Sequence, residues 1–208
     1  MALLNVNPNR MELTRLKNQL ATAKRGHKLL KDKQDALVKA FLERARSVRD
    51  TRQEVEQELM SCYRDFMTAR AQTLPAMLES ALMVCGAASS LTVSTKNVMS
   101  VEVPAYEVQT SGHTFNYGTA TTPAALDLSL EAFKDVLPRL LQLAADEKAV
   151  ALMSSEIEKT RRRVNALEHV LIPNTEETIR HISQKLEEQE RATLSRLMKV
   201  KEIVRDDG

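Results

Sequence analysis

The chain has 208 residues, 43% of them hydrophobic and 28% charged, a balance that suits a folded protein and excludes wholesale disorder. Aromatics make up only 3%, Trp is absent, and five Gly and six Pro are present, which argues against a thick core and favours long uninterrupted helices. Net charge is +2, yet residues 10–50 carry twelve Lys or Arg against five acids, a net +7, so the remainder is acidic.

In chain order, residues 1–9 read as a flexible tail with Asn5, Asn7, Pro8 and Asn9. A first helix is expected over 10–73. Apolar or small residues recur every seventh position at Leu13, Leu20, Phe41, Val48, Val55, Cys62 and Ala69. A second row, Leu16, Ala23, Leu30 and Leu37, slips by one residue and resumes at Leu59 and Phe66. A seven-residue period held this long marks a coiled-coil helix, here about 90 Å of it at about 1.5 Å per residue.

A middle segment follows over 74–122. Pro75 marks a restart, with a short helix from Ala76 ending near Gly86. Leu91, Val93, Val101 and Val103 alternate with polar residues, which predicts a β-hairpin over about 91–103, with Lys96–Asn97 between its two runs and Pro104 closing it. Residues 105–122, rich in Ser, Thr, Gly, Asn and Tyr, read as a loop.

Thr122 as N-cap and Pro123 in the first turn predict a second long helix over 123–205, with a tail at 206–208. Its heptad row is Leu143, Val150, Ile157, Val164 and Leu171, resuming at Ile179, Leu186 and Val200. Pro138 and Pro173 should interrupt it, with Asn174 or Thr175 capping a restart. One helix cannot bury such a stripe alone, and the other is its obvious partner. The expected fold is mainly α: a long antiparallel two-helix coiled coil of the N- and C-terminal helices, with a short β-hairpin and loop insert between them. Residues i and about 215 − i should face each other, and both termini should lie at one tip of a rod.

Catalytic signatures are missing. Glycines at 26, 86, 112, 118 and 208 form no phosphate-binding loop, and His27, His113, His169 and His181 have no metal-ligand spacing. No catalytic residue, cofactor site or metal site is expected. Cys62 lies on the heptad seam as a small apolar filler. Two cysteines without metal spacing and no signal peptide fit a reducing cytosolic compartment, and no apolar run reaches the roughly 20 residues needed to span a bilayer. Gly26, inside the first helix, costs about 1 kcal/mol relative to Ala and suggests a close backbone approach, a kink or tolerated strain. Arg161, Arg162 and Arg163 form one dense cationic run, read either as a solvated turn or as a docking collar.

Three stretches carry a resemblance. NRMELTRLKNQLATAKRGHKLLKDKQDALVK (Asn9–Lys39), STKNVMSVEVP (Ser94–Pro104) and TRRRVNALEHVLIP (Thr160–Pro173) resemble, in order, the opening, central hairpin and C-terminal helix of the D subunit of the rotary V-type and A-type ATPases. The end at Gly208 resembles the shorter bacterial and archaeal members. The resemblance implies a non-catalytic central-stalk rotor subunit on the cytoplasmic face of the membrane. It implies as partners the hexamer of catalytic A-type and B-type subunits, the F subunit of the central stalk, and the membrane-side socket subunit of C or d type. Membrane contact is then indirect and no nucleic acid is expected.

Position along the chain assigns surfaces to those partners. Arg10, Arg15, Lys17, Lys24, Arg25, Lys28, Lys31, Arg196, Lys199 and Lys201 are expected to face the hexamer, as a basic axle in an acidic bore. Arg161, Arg162, Arg163, Leu78, Leu82, Val93, Val101 and Val103 are expected to dock the F subunit or the lower stalk. Two other architectures fit the coiled coil: a prefoldin-like chaperone or adaptor, and a basic RNA-binding arm. Stacking aromatics are scarce for the latter, and a chaperone tip would be apolar rather than basic.

Overall fold

The computed structural model describes residues 6–84, 86–113, 115–118 and 122–206. Most of the 1–9 tail, Cys85, Gly208 and the residue before it lie outside the described residues. The elements are helix α1 (Arg10–Gln72), helix α2 (Pro75–Met83), strands β1 (Ala88–Val98) and β2 (Val101–Ser111), helix α3 (Ala124–Ala166), a π-helical turn (Leu167–Leu171) and helix α4 (Ile172–Asp206). The fold is mainly α, with a long helix at each end of the sequence and an antiparallel two-stranded ribbon between them. The chain divides into two compact units, a middle one over Leu37–Glu156 and a terminal one joining Met1–Ala36 to Ile157–Gly208.

In the middle unit α1 and α3 run antiparallel. Val55 and Cys62 of α1 bury against Val136 and Leu143 of α3, with Val48, Leu59, Phe133 and Leu140 packed around them. Phe133 meets Tyr63 and Phe66 edge-to-face at 5.4 and 6.4 Å between ring centroids. Each buried aliphatic side chain contributes about 1.5–3 kcal/mol. Three ion pairs flank the seam: Glu58–Arg139, Arg52–Glu147 and Arg44–Asp146.

Pro138 does not interrupt α3, contrary to the sequence expectation. It sits on the exposed side of the helix, where the carbonyl that its missing N–H leaves unpaired is open to solvent.

A second cluster closes the end of this helix pair. Ala69, Leu78, Ala81 and Leu126 are buried together, with Phe66, Tyr117, Ala125 and Leu130 against them. Helix α2 starts on Pro75, and the Leu74 carbonyl accepts the amides of Met77 and Leu78. Leu78 and Ala81, three residues apart, form its buried face.

The ribbon is longer than the sequence suggests. Its register pairs Ala88 with Ser111 and Val98 with Val101, so the part of the expected loop up to Ser111 is strand. Lys96 and Asn97 lie in β1, and the turn is Met99–Ser100. Both turn residues have positive φ, 53° and 70°, which gives the mirror-image two-residue turn that matches strand twist. Asn97 Oδ1 accepts the Ser100 amide at 3.0 Å and holds that turn. Val101 and Val103 face inward and are buried, whereas β1 is exposed along its length apart from Val98.

In the terminal unit the buried positions are Leu16 of α1, Thr160 and Val164 of α3, and Thr175, Thr178 and Ile182 of α4. Seam threonines replace apolar residues here. The hydroxyls of Thr175 and Thr178 donate to the carbonyls of Leu171 and Asn174, both at 2.7 Å. With the hydroxyl satisfied inside its own helix, the side chain packs as a β-branched filler.

No restart occurs after Pro173. Helix α4 already begins at Ile172, so Asn174 and Thr175 are interior residues and not caps. The proline is accommodated by the π-turn, where the Ile172 amide bonds to the Leu167 carbonyl five residues back. The wider turn relieves the ring of Pro173 from the clash that regular α-geometry would impose.

The pairing register also differs from expectation. The heptad rows put Arg10 opposite a residue near 205, but it pairs with Glu190, and Lys24 pairs with Glu176 at 2.6 Å. Helix α4 therefore continues from Glu190 to Asp206 past the first residue of α1.

Candidate partner-binding surfaces

The terminal unit presents the basic residues of α1. Arg10, Arg15, Lys17, Lys24, Arg25, Lys28 and Lys31 are all exposed. Three are matched by acids of the same chain: Arg10 by Glu190, Arg15 by Glu12 at 3.3 Å, and Lys24 by Glu176. Arg25 reaches back to the Ala21 carbonyl at 3.4 Å. Among the described residues Lys17, Lys28 and Lys31 enter no ion pair, so their charge stays available to a partner.

The last turns of α4 carry Arg196, Lys199 and Lys201, all exposed. Leu194, Leu197, Met198 and Val200 lie among them and are more than half exposed. The heptad row puts Val200 on the seam. With Arg10, the first residue of α1, opposite Glu190, no helix among the described residues faces this stretch, and it presents an apolar and basic surface that sequence reasoning misses. The start of α1 at Arg10 and the pairs Arg10–Glu190 and Lys24–Glu176 set where pairing ends.

Arg161, Arg162 and Arg163 are exposed on α3, with Arg162 held by Glu158 at 2.5 Å. They belong to the terminal unit, whereas the other residues expected at the lower stalk belong to the middle unit. Within that unit Leu82 and Val93 are exposed, but Leu78, Val101 and Val103 are buried against their own chain. Those three support a surface and do not form one.

The outward surface of the middle unit is carried instead by Met60, Met67, Leu74, Met77 and Met83, with Met83 87% exposed. Methionine adapts its shape to a partner better than branched side chains do.

Beneath the ribbon a cavity of about 270 Å³ is lined by Arg44, Gln142 and Asp146 of the helices and by Lys96, Tyr106 and Glu107 of the strands. Its charges are mixed, and Arg44 and Asp146 satisfy each other at 3.3 Å. Burial raises the pKa of the Cys62 thiol, so this cysteine is a filler and a poor nucleophile. Burial, reinforced by a hydrogen bond to Asp127, also raises the pKa of the Tyr117 phenol. Among the described residues no group of three or more His, Cys, Asp or Glu is placed to hold a metal ion, and no helix is long and apolar enough to cross a membrane.

The described elements are thus a long helix at each end of the sequence and an antiparallel ribbon between them, with exposed basic residues on one unit and exposed methionines on the other. The particular family follows from comparison. The sequence profile of the family described as the D subunit of ATP synthase matches residues 12–202. The chain is 51% identical to the V-type ATP synthase D subunit of Thermoanaerobacter sp. (strain X514) over 206 residues, covering 98% of this chain and 99% of the relative. It is 53% identical to the V-type ATP synthase D subunit of Clostridioides difficile (strain 630) over 207 residues, covering 98% and 93%. Identity to the Acetivibrio thermocellus protein of the same name is 51% over 208 residues, covering 98% and 94%. The chain belongs to the ATP synthase D-subunit family, and this membership replaces the chaperone and RNA-arm readings.

Proposed function

We propose that this chain is the central rotor shaft of a rotary V/A-type ATPase, a non-catalytic subunit that couples ATP hydrolysis or synthesis in a catalytic hexamer to ion translocation in a membrane ring. Family membership over nearly the whole chain carries the reading. The complex sits on the cytoplasmic face of the membrane, and this subunit meets the membrane only through its partners.

In this reading the terminal unit enters the hexamer of A-type and B-type subunits. Arg10, Arg15, Lys17, Lys24, Arg25, Lys28 and Lys31, with Arg196, Lys199 and Lys201, face its bore. The stretch of α4 after Glu190 supports this, because an apolar and basic helix end that no helix among the described residues faces fits an enclosing socket. An axle made of two antiparallel helices has no three-fold symmetry. Inside a three-fold ring it meets each catalytic interface with a different face and biases each toward a different nucleotide state. Coupling is then a difference in contact free energy between states.

The middle unit holds the lower stalk. Leu82 and Val93 are available to the F subunit, while Leu78, Val101 and Val103 hold their elements in place behind them. The exposed methionines suit the membrane-side socket subunit. Arg161, Arg162 and Arg163, in the terminal unit just after the middle unit ends at Glu156, form a collar for the F subunit outside the bore.

The test is reconstitution with a purified catalytic hexamer, followed by co-elution and ATP hydrolysis. The full chain should co-elute and change turnover. Truncation after Glu190, or Leu194, Leu197 and Met198 changed together to Ser, should abolish co-elution and leave the fold intact by circular dichroism. Failure of the full chain to bind the hexamer under any nucleotide condition would overturn the reading.

A further inference from the structure

We propose that the level of Gly26 and Leu167–Leu171 is a built-in joint of the terminal unit, a place where the paired helices bend. Three observations meet there. Gly26 lies inside α1, where glycine loosens a helix relative to Ala, yet a Cβ built on it meets nothing within 4 Å. Packing therefore gives no reason for the missing side chain. Across the pair, the five residues Leu167–Leu171 leave α-geometry for a π-turn, and none of them is buried. Val170 and Leu171 point their apolar side chains outward.

The third observation puts the two at one height. His27 Nε2 and Glu168 Oε2 are 3.2 Å apart, so the residue after Gly26 touches the second residue of the π-turn. Two helix-weakening features thus face each other. The seam is tight on both sides of them, at Thr160 and Val164 toward one side and at Thr175, Thr178 and Ile182 toward the other.

Stretches with few buried contacts and irregular backbone hydrogen bonds are the first to open in a folded protein. Two such stretches opposite one another concentrate bending at one level, and the His27–Glu168 contact keeps the helices in register while they bend. Pro173 fixes the location, because it removes the N–H that a regular α-helix would use there. The use of this joint in rotation rests on the central-shaft reading above. A shaft that flexes at one level can follow a ring whose interfaces change in steps, without giving up its docking at either unit.

Amide hydrogen exchange on the full chain tests the joint. Amides at 24–30 and 168–172 should exchange at least about tenfold faster than those of the flanking turns at 14–20 and 178–184. Gly26→Ala should slow the α1 stretch about fivefold, and adding Pro173→Ala should slow the opposite stretch as well. Exchange as slow as in the flanking turns, or exchange that Gly26→Ala leaves unchanged, overturns the joint. If the double variant does not fold, Gly26→Ala alone decides the matter.

In the assembled ATPase the stiffened variant should enter the complex normally and turn over several-fold more slowly. Unchanged turnover would overturn the joint's part in rotation and leave the central-shaft reading standing. Failure of the unmodified chain to assemble would overturn that reading instead and leave the exchange result untouched.

Discussion

A methyl group placed on Gly112 would run into the carbonyl oxygen of Gly86, where the chain enters and leaves the ribbon. Gly112 also has φ +91°, a conformation that L side chains rarely adopt. Gly112→Ala should therefore cost about 1–2 kcal/mol from the backbone conformation alone, with the steric clash added. Gly26→Ala should have the opposite sign, a gain of up to about 1 kcal/mol, because a Cβ there meets open space. Thermal unfolding of the two variants side by side checks both. The same substitution in one protein should move the midpoint in opposite directions.

The ribbon turn offers a second prediction. Met99 and Ser100 both adopt positive φ without being Gly or Asn. Replacing the pair by Asn–Gly should stabilise the ribbon by about 1 kcal/mol. Slower amide exchange across β1 and β2, with unchanged helix signals, is the expected readout. Unchanged exchange would show that packing under the ribbon, and not its turn, limits opening.

Tyr117 makes stability depend on alkaline pH. Its phenol donates to Asp127, and burial and that hydrogen bond both raise its pKa. The neutral form is thus favoured in the folded state. The stabilisation is fully present below the ordinary tyrosine value of about 10, and it is lost as pH rises from there toward the raised folded-state value. Tyr117→Phe should cost about 1 kcal/mol near neutral pH and flatten this part of the alkaline decline. Urea unfolding near neutral pH and in the alkaline range measures it. An equally steep decline in the variant would assign the effect to another group.

The seam of α4 gives a paired test. Ile182 is 1% exposed, and Ile182→Ala should cost about 2–5 kcal/mol. Thr175 is also buried, yet its hydroxyl is satisfied by the Leu171 carbonyl, so Thr175→Val should change stability by less than about 1 kcal/mol. Denaturant midpoints of the two variants separate these effects. A large loss in the valine variant would mean that the hydroxyl does more than bond to its own helix.

These positions also explain what can be read from residues alone. Val55, Cys62, Leu143 and Val164 announce their burial through a seven-residue step, because apolar side chains repeated at helical spacing have no other cheap explanation. Thr175 and Thr178 do not, since a hydroxyl that bonds to its own helix looks polar in sequence and packs as an aliphatic group in the structure. Without them the α4 seam reads as running through Ile179, Leu186 and Val200, and the register comes out too long. The ribbon is cut short in sequence for a related reason. Pro104 reads as a terminator, yet it lies opposite Thr95 in the middle of the pairing. A proline at the outer edge of a two-stranded ribbon interrupts no third strand. Of the residues assigned to partner surfaces, the cations are legible as exposed because helical basic residues nearly always are. The burial of Val101 and Val103 by their own chain is not legible, because alternation gives two faces without saying which one is covered.

The free edge of β1 has a practical consequence for handling the protein. From Ala88 to Val98 it carries no proline and no acid, and Lys96 is its single charge. Natural edge strands usually discourage stray pairing with such residues, and this one leaves a row of backbone donors and acceptors open to any extended chain. A preparation of this chain by itself should therefore cloud on concentration or storage well before it unfolds. Acidic residues introduced at Ser90 or Thr92 would be the first remedy to try at the bench.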